Sequence, residues 1–201
     1  MKKSALATTL AGSFVLATLI PGAAARAEPA DFALDPAHTS IGFLVSHINY
    51  ADVLGMFLES EGSFVFDEEA GTVSDIRIVI NTESVFTNHE ARDDHLRSPD
   101  FLNADEFPEM VFEADEAVAV GDGTGVVRGT LELLGETRPM ELTLTFAGSG
   151  DYPFGDEHYA VGVSARGSFL RSEYGMTYGV SGDLVGDEVE LIIEFEGIRD
   201  D

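Results

Sequence analysis

From about residue 41 onward, apolar side chains return at every second position through one short segment after another. That is the period of a β-strand with one buried face. The runs are Ile41/Phe43/Val45, Phe64/Phe66, Ile76/Ile78/Ile80, Met110/Phe112, Leu131/Leu133, Met140/Leu142/Leu144/Phe146, Tyr159/Val161/Val163 and Val189/Leu191/Ile193/Phe195. In the last of these, Glu188, Glu190, Glu194 and Glu196 fill most of the opposite face. Clusters such as Asp67-Glu68-Glu69-Ala70-Gly71 and Gly148-Ser149-Gly150-Asp151 lie between runs and have turn chemistry. About eight strands joined by short turns, without βαβ spacing, predict an all-β antiparallel barrel or sandwich; a barrel has the advantage of leaving no exposed edge.

One stretch breaks the period. Asn88-His89-Glu90-Ala91-Arg92-Asp93-Asp94-His95-Leu96-Arg97 is charged and compatible with a helix. Pro99 should end that helix near Ser98, because proline donates no N–H and restricts the residue before it. With so few apolar residues, the segment is expected to cap one end of a barrel rather than fill it.

Residues 1–27 read as a secretory signal peptide. Lys2 and Lys3 precede an apolar stretch that ends in Pro21-Gly22, and Ala25-Arg26-Ala27 has the small-x-small form of a cleavage site. The stretch is shorter than the roughly 20 residues that span a bilayer. Residues 28–201 are then expected to form one domain, in the periplasm if the source is a bacterium, with no stable membrane insertion. Of 11 basic residues the leader takes three, which leaves 8 arginines against 37 acids, a net charge of −29. Such a field repels phosphate backbones, so no nucleic-acid partner is expected, and it fits a saline setting in which salt screens the self-repulsion. The chain has no cysteine, which excludes disulfides, thiol catalysis and thiolate metal sites.

No constellation of residues carries catalysis. His38 and His47 fall at the two ends of one strand, and His89 and His95 are six apart, so neither pair has the spacing to share one ion. No nucleophile elbow is present. The Arg92-Asp93-Asp94-His95-Arg97 cluster reads as an ion-pair network tying the helix to the barrel, with Asp93 and His95 as an acid–base pair the enzymatic alternative. No metal or cofactor is expected. Inward glycines at 42, 62, 129, 162 and 167 among phenylalanines suggest a narrow apolar channel.

Asp35-Pro36-Ala37-His38-Thr39-Ser40 with Phe43 and His47, then Glu90 through Phe101, Phe107-Pro108, Gly129-Thr130-Leu131, Thr137-Arg138-Pro139, Arg171 through Met176 and Val185 through Val189, resemble in order the motifs of the YceI-like family of polyisoprenoid-binding proteins. The resemblance covers residues 32–196. It implies an extended lipocalin-like antiparallel barrel whose apolar pore holds a long isoprenoid lipid, such as a polyprenol or a quinone tail. Members share no catalytic residue, so the resemblance implies binding and not turnover. A filled, ligand-free structural barrel is the third reading, and a homodimer is left open. Phe43, Val45, Phe64, Phe112, Leu131, Leu142, Leu144, Val163, Phe169, Leu191 and Ile193 are the lining candidates. His47, Arg92 and Asp93 are candidate polar groups at the mouth.

Overall fold

The computed structural model describes residues 28–116, 118–120, 123–155 and 158–200; the signal-peptide reading lies outside them. Twelve strands run antiparallel: β1 (Ala30–Leu34), β2 (Ser40–His47), β3 (Ala51–Phe57), β4 (Ser60–Asp67), β5 (Thr72–Asn81), β6 (Val85–Phe86), β7 (Glu109–Ala114), β8 (Val118–Ala119), β9 (Thr124–Leu133), β10 (Glu136–Asp151), β11 (Tyr159–Leu170) and β12 (Val185–Arg199). One helix, α1 (Glu90–Arg97), interrupts them.

The twelve strands occupy eight barrel positions. β12 pairs along its first part with β2 and along its last three residues with β1, so β1 and β2 are one wall strand broken at Asp35–Thr39. In the same way β3 and β4 break at Leu58-Glu59, β5 and β6 at the 3-10 turn Thr82–Ser84, and β7 and β8 just after Ala114. Pairing then runs from β5 through β7, β9, β10 and β11 to β12, and the β1–β12 contact closes the sheet into an all-β barrel. Breaks of this kind let long strands coil around a closed wall without straining the ladder.

All eight alternating runs fall in strands, and their apolar members face a common interior. Two expectations need correction. Gly148-Ser149-Gly150-Asp151 is not a turn; it continues β10 past a bulge at Ala147, opposite Gly162 to Tyr159 of β11. Of the five glycines, Gly42 and Gly162 are out of phase with their inward neighbours Ile41, Phe43, Val161 and Val163, so they face outward. Nor do the inward ones widen the channel. A Cβ on Gly129 would stand 2.2 Å from the Glu113 carbonyl oxygen and 2.8 Å from the Phe112 ring, so a neighbour already fills the space.

The helix forms where the chain loses its two-residue period. His89 Nδ1 caps it by accepting the Arg92 N–H at 3.2 Å, and Ser98 ends it, its hydroxyl donating to the His95 carbonyl, with Pro99 next. Charged side chains on α1 anchor it mainly to backbone. Arg97 donates to the Glu83 and Val85 carbonyls at 2.8 and 3.0 Å, and Arg92 donates to the Thr87 hydroxyl and carbonyl at 2.7 and 2.8 Å. The expected network exists, therefore, but its targets are mostly backbone carbonyls between Glu83 and Thr87.

Candidate functional site

Among the described residues, the barrel encloses a long cavity of about 550 Å³. That lies within the range of about 300–1,000 Å³ typical of ligand pockets. All eleven apolar lining candidates are on its wall: Phe43 and Val45 from β2, Phe64 from β4, Phe112 from β7, Leu131 from β9, Leu142 and Leu144 from β10, Val163 and Phe169 from β11, Leu191 and Ile193 from β12. Their spacing of two along each strand places them there, since every alternate side chain points inward. Ile41, Phe57, Ile76, Ile78, Ile80, Met110, Leu133, Met140, Val161, Ala165 and Phe195 share the wall. Most stand on the same alternating positions, so the period could have found them.

Polar lining groups are few and lie mostly toward one end. His47, Arg92, His95, Arg171 and Tyr178 face the cavity beneath or beside α1. Asp93 does not. It is buried under the helix, where Oδ1 accepts the N–H and the hydroxyl of Thr87, the first at 2.8 Å. His95 pairs instead with Asp100, Nε2 to Oδ2 at 2.9 Å, and its ring packs edge-on against Phe101 and Tyr178. The Asp93–His95 acid–base pair is therefore not formed.

Arg171 enters the sequence reading only as the first residue of one motif of the resemblance, with no role, because a lone arginine beside a strand end carries no periodic signal. It is 1% exposed and donates to the Gly186, Met176, Tyr178 and Val185 carbonyls at 2.7–2.9 Å. Its guanidinium lies 5.8 Å from the centre of the Phe101 ring. Burial pulls its pKa below the ordinary arginine value, with Asp187 acting in the opposite direction. This one side chain folds the 176–185 segment over the barrel end and ties it to the chain following α1.

The two ends differ in access. His47, Tyr178 and Leu184 are the cavity-lining residues that are also exposed, and all three belong to the α1 end. At the other end Phe32 stacks on Phe64 at 5.4 Å, Phe66 on Phe146 at 5.2 Å, and Phe64 meets Phe195 edge-on at 5.8 Å. Just outside that plug, Glu68 accepts from the Ser149 hydroxyl at 2.6 Å and the Tyr159 hydroxyl at 2.8 Å, while Arg199 stacks over the Tyr159 ring. Those hydrogen bonds hold the Glu68 carboxyl below its usual range.

Among the described residues one group could present three donor atoms to a cation, on the outer wall where β1 breaks into β2. His38 Nδ1 lies 2.6 Å from Asp35 Oδ2 and 3.7 Å from Glu196 Oε2. Asp35 also accepts the Ala37 N–H, so the group is a hydrogen-bonded turn. Although burial opposes it, hydrogen bonding from His38 and Ala37 holds the Asp35 carboxyl low; the Asp35 bond raises the His38 imidazole. The pairing of His38 with His47 had been weighed at the sequence level, but not this one.

The class this fold and cavity define is a small closed antiparallel barrel with an apolar interior whose polar lining gathers mostly at one end. The chain belongs to the YceI-like family: the profile described as the YceI-like domain matches residues 32–197. It is 37% identical over 178 residues to a UPF0312 protein of Yersinia pestis, covering 88% of this chain and 90% of that one. Among solved structures, BcnA of Burkholderia cenocepacia superposes with a TM-score of 0.71 at 18% identity, covering 81% of this chain and 98% of that one. A polyisoprenoid binding domain from Saccharophagus degradans superposes with a TM-score of 0.60 at 15% identity, over 86% of this chain and all of that one. These two likenesses show the shared barrel fold.

Proposed function

We propose that this protein is a periplasmic carrier that holds one isoprenoid lipid, a polyprenol or a quinone tail, along the barrel axis. The observation that carries this reading is the cavity itself. It is continuous and almost wholly apolar, and its polar groups gather at the α1 end, the distribution a long hydrocarbon with a single polar head requires. Holding such a chain needs no directed bonds along the tail. Burial contributes about 25 cal/mol per Å² of apolar surface removed from water, so chain length should govern affinity more than detailed chemistry. The polyisoprenoid binding domain that shares the fold supports the ligand class, and the leader-like residues 1–27 support the compartment.

Ala165 gives a clean test, because it is 2% exposed on the cavity wall of β11, where a large side chain has only the cavity to enter. Ala165→Phe should leave thermal unfolding within a few degrees of the parent and abolish retention of a radiolabelled polyprenol on gel filtration. Equal retention by parent and variant would contradict the reading.

A further inference from the structure

Exposed large apolar side chains gather on the rim of the α1 end. Tyr50 is 86% exposed at the tip of the β2–β3 turn, and Leu184 and Tyr178 are 54% and 47% exposed on the 176–184 segment. Leu54, 63% exposed, extends the patch down the outside of β3. The two loops act as one surface, since the Ile48 N–H donates to the Leu184 carbonyl at 3.0 Å. Leu184 and Tyr178 also line the cavity, so the patch continues directly into the interior.

Two further features mark this rim. Residues 47–51 and 176–182 contain no aspartate or glutamate, in a chain with 37 of them and a formal net charge of −26, although exposed Asp52 and Asp183 follow directly on the two runs. The β2–β3 turn closes with the Tyr50 N–H donating to the His47 carbonyl, and its central residues Ile48 and Asn49 have φ of 45° and 54°. Turns of that hand favour Asn-Gly, and a β-branched residue in the left-handed region is strained. Here Ile48 lines the cavity mouth.

We infer that this rim is a membrane-docking portal: Tyr50, Leu54, Tyr178 and Leu184 insert into the surface of an uncharged or zwitterionic bilayer, and the lipid passes between bilayer and cavity at that end. The inference rests on the carrier reading for its cargo but not for the docking itself. Charge selects the occupant, because a rim of apolar side chains flanked by Asp52 and Asp183 can meet zwitterionic headgroups, while those aspartates and the rest of the acidic surface are repelled by anionic ones. A second copy is disfavoured. Four exposed side chains are far fewer than the roughly 20 residues a side of a stable interface, and two such acidic bodies repel.

The chain has no tryptophan, so Tyr50→Trp installs a single indole at the tip. With phosphatidylcholine vesicles the Tyr50→Trp protein should show a blue shift and quenching by bromine-labelled acyl chains. Adding Leu54→Glu should weaken that association about tenfold, since burying one large apolar side chain is worth roughly that factor. Both sites are exposed, so unfolding midpoints should not change, and polyprenol retention in vesicle-free solution should be unaltered. Retention of polyprenol without indole quenching would overturn docking and leave the carrier reading standing. Quenching without retention would support docking and overturn the carrier. A concentration-dependent dimer in analytical ultracentrifugation that Leu54→Glu dissolves would overturn the proposal in favour of a second copy.

Discussion

The two ends of this barrel are built from the same alternating strands but finished in opposite ways. The far end is closed by side chains the strand period already supplies: Phe32, Phe64, Phe66, Phe146 and Phe195 meet across the lumen, and Glu68 gathers the Ser149 and Tyr159 hydroxyls outside them. The near end is finished by chain that leaves the sheet: α1, the 98–108 segment and the 176–185 segment, held by arginines whose targets are mainly carbonyls. An aromatic plug holds by the packing of ring against ring. A lid of loops held by a few hydrogen bonds can open locally without unfolding the barrel. On the proposed carrier reading, the structural difference between the ends is also a division of labour, the far end fixed and the near end admitting ligand.

The sharpest way to break that contrast is at Arg171. Arg171→Ala removes a buried guanidinium that donates to four carbonyls and should cost about 3–5 kcal/mol. Chemical denaturation measures the loss, and polyprenol should escape faster from the variant. A cost below about 1 kcal/mol would mean that water satisfies those carbonyls and the lid is held elsewhere. Phe66→Ala, at the far end, should cost about 3 kcal/mol through the space it leaves in the plug. Its effect should register in stability, with polyprenol release still governed by the lid.

Ile48→Asn should act in the other direction. Asparagine accepts the left-handed conformation that isoleucine resists, so the variant should be more stable by about 0.5–1 kcal/mol while taking up polyprenol from vesicles more slowly. A variant no more stable than the parent would show that the turn stores no strain. The smallest effect belongs to Glu68. Its carboxyl is held low in the folded protein by Ser149 and Tyr159, so its contribution is present above about 4.5, the ordinary value of a glutamate, and is lost as pH falls through the folded value. The site is largely exposed, which keeps the contribution below about 1 kcal/mol. Glu68→Gln should lose part of the stability difference between pH 6 and pH 3, and an unchanged acid limb would remove Glu68 from the far-end closure.

The wall was legible in the sequence because burial on one face imposes a period, and that period located every one of the eight barrel positions. It could not show that four of the positions are split, because short pieces such as Val85-Phe86 or Val118-Ala119 carry too few residues to display a period. The helix was legible from its loss of alternation and from Pro99, but the role of Asp93 was not. A buried carboxylate satisfied by Thr87 and a mouth-facing one have the same local sequence. The rim was the least visible region. Tyr178, Leu184 and Ile48 reach the mouth through turns and through the carbonyls collected by Arg171, contacts that no spacing along the chain encodes.

Native mass spectrometry of the protein isolated from its own cells, followed by organic extraction of what it holds, tests the central claim most directly. The account predicts one isoprenoid lipid per chain, absent from Ala165→Phe prepared in the same way. A ligand-free mass that also takes up no added polyprenol would contradict it.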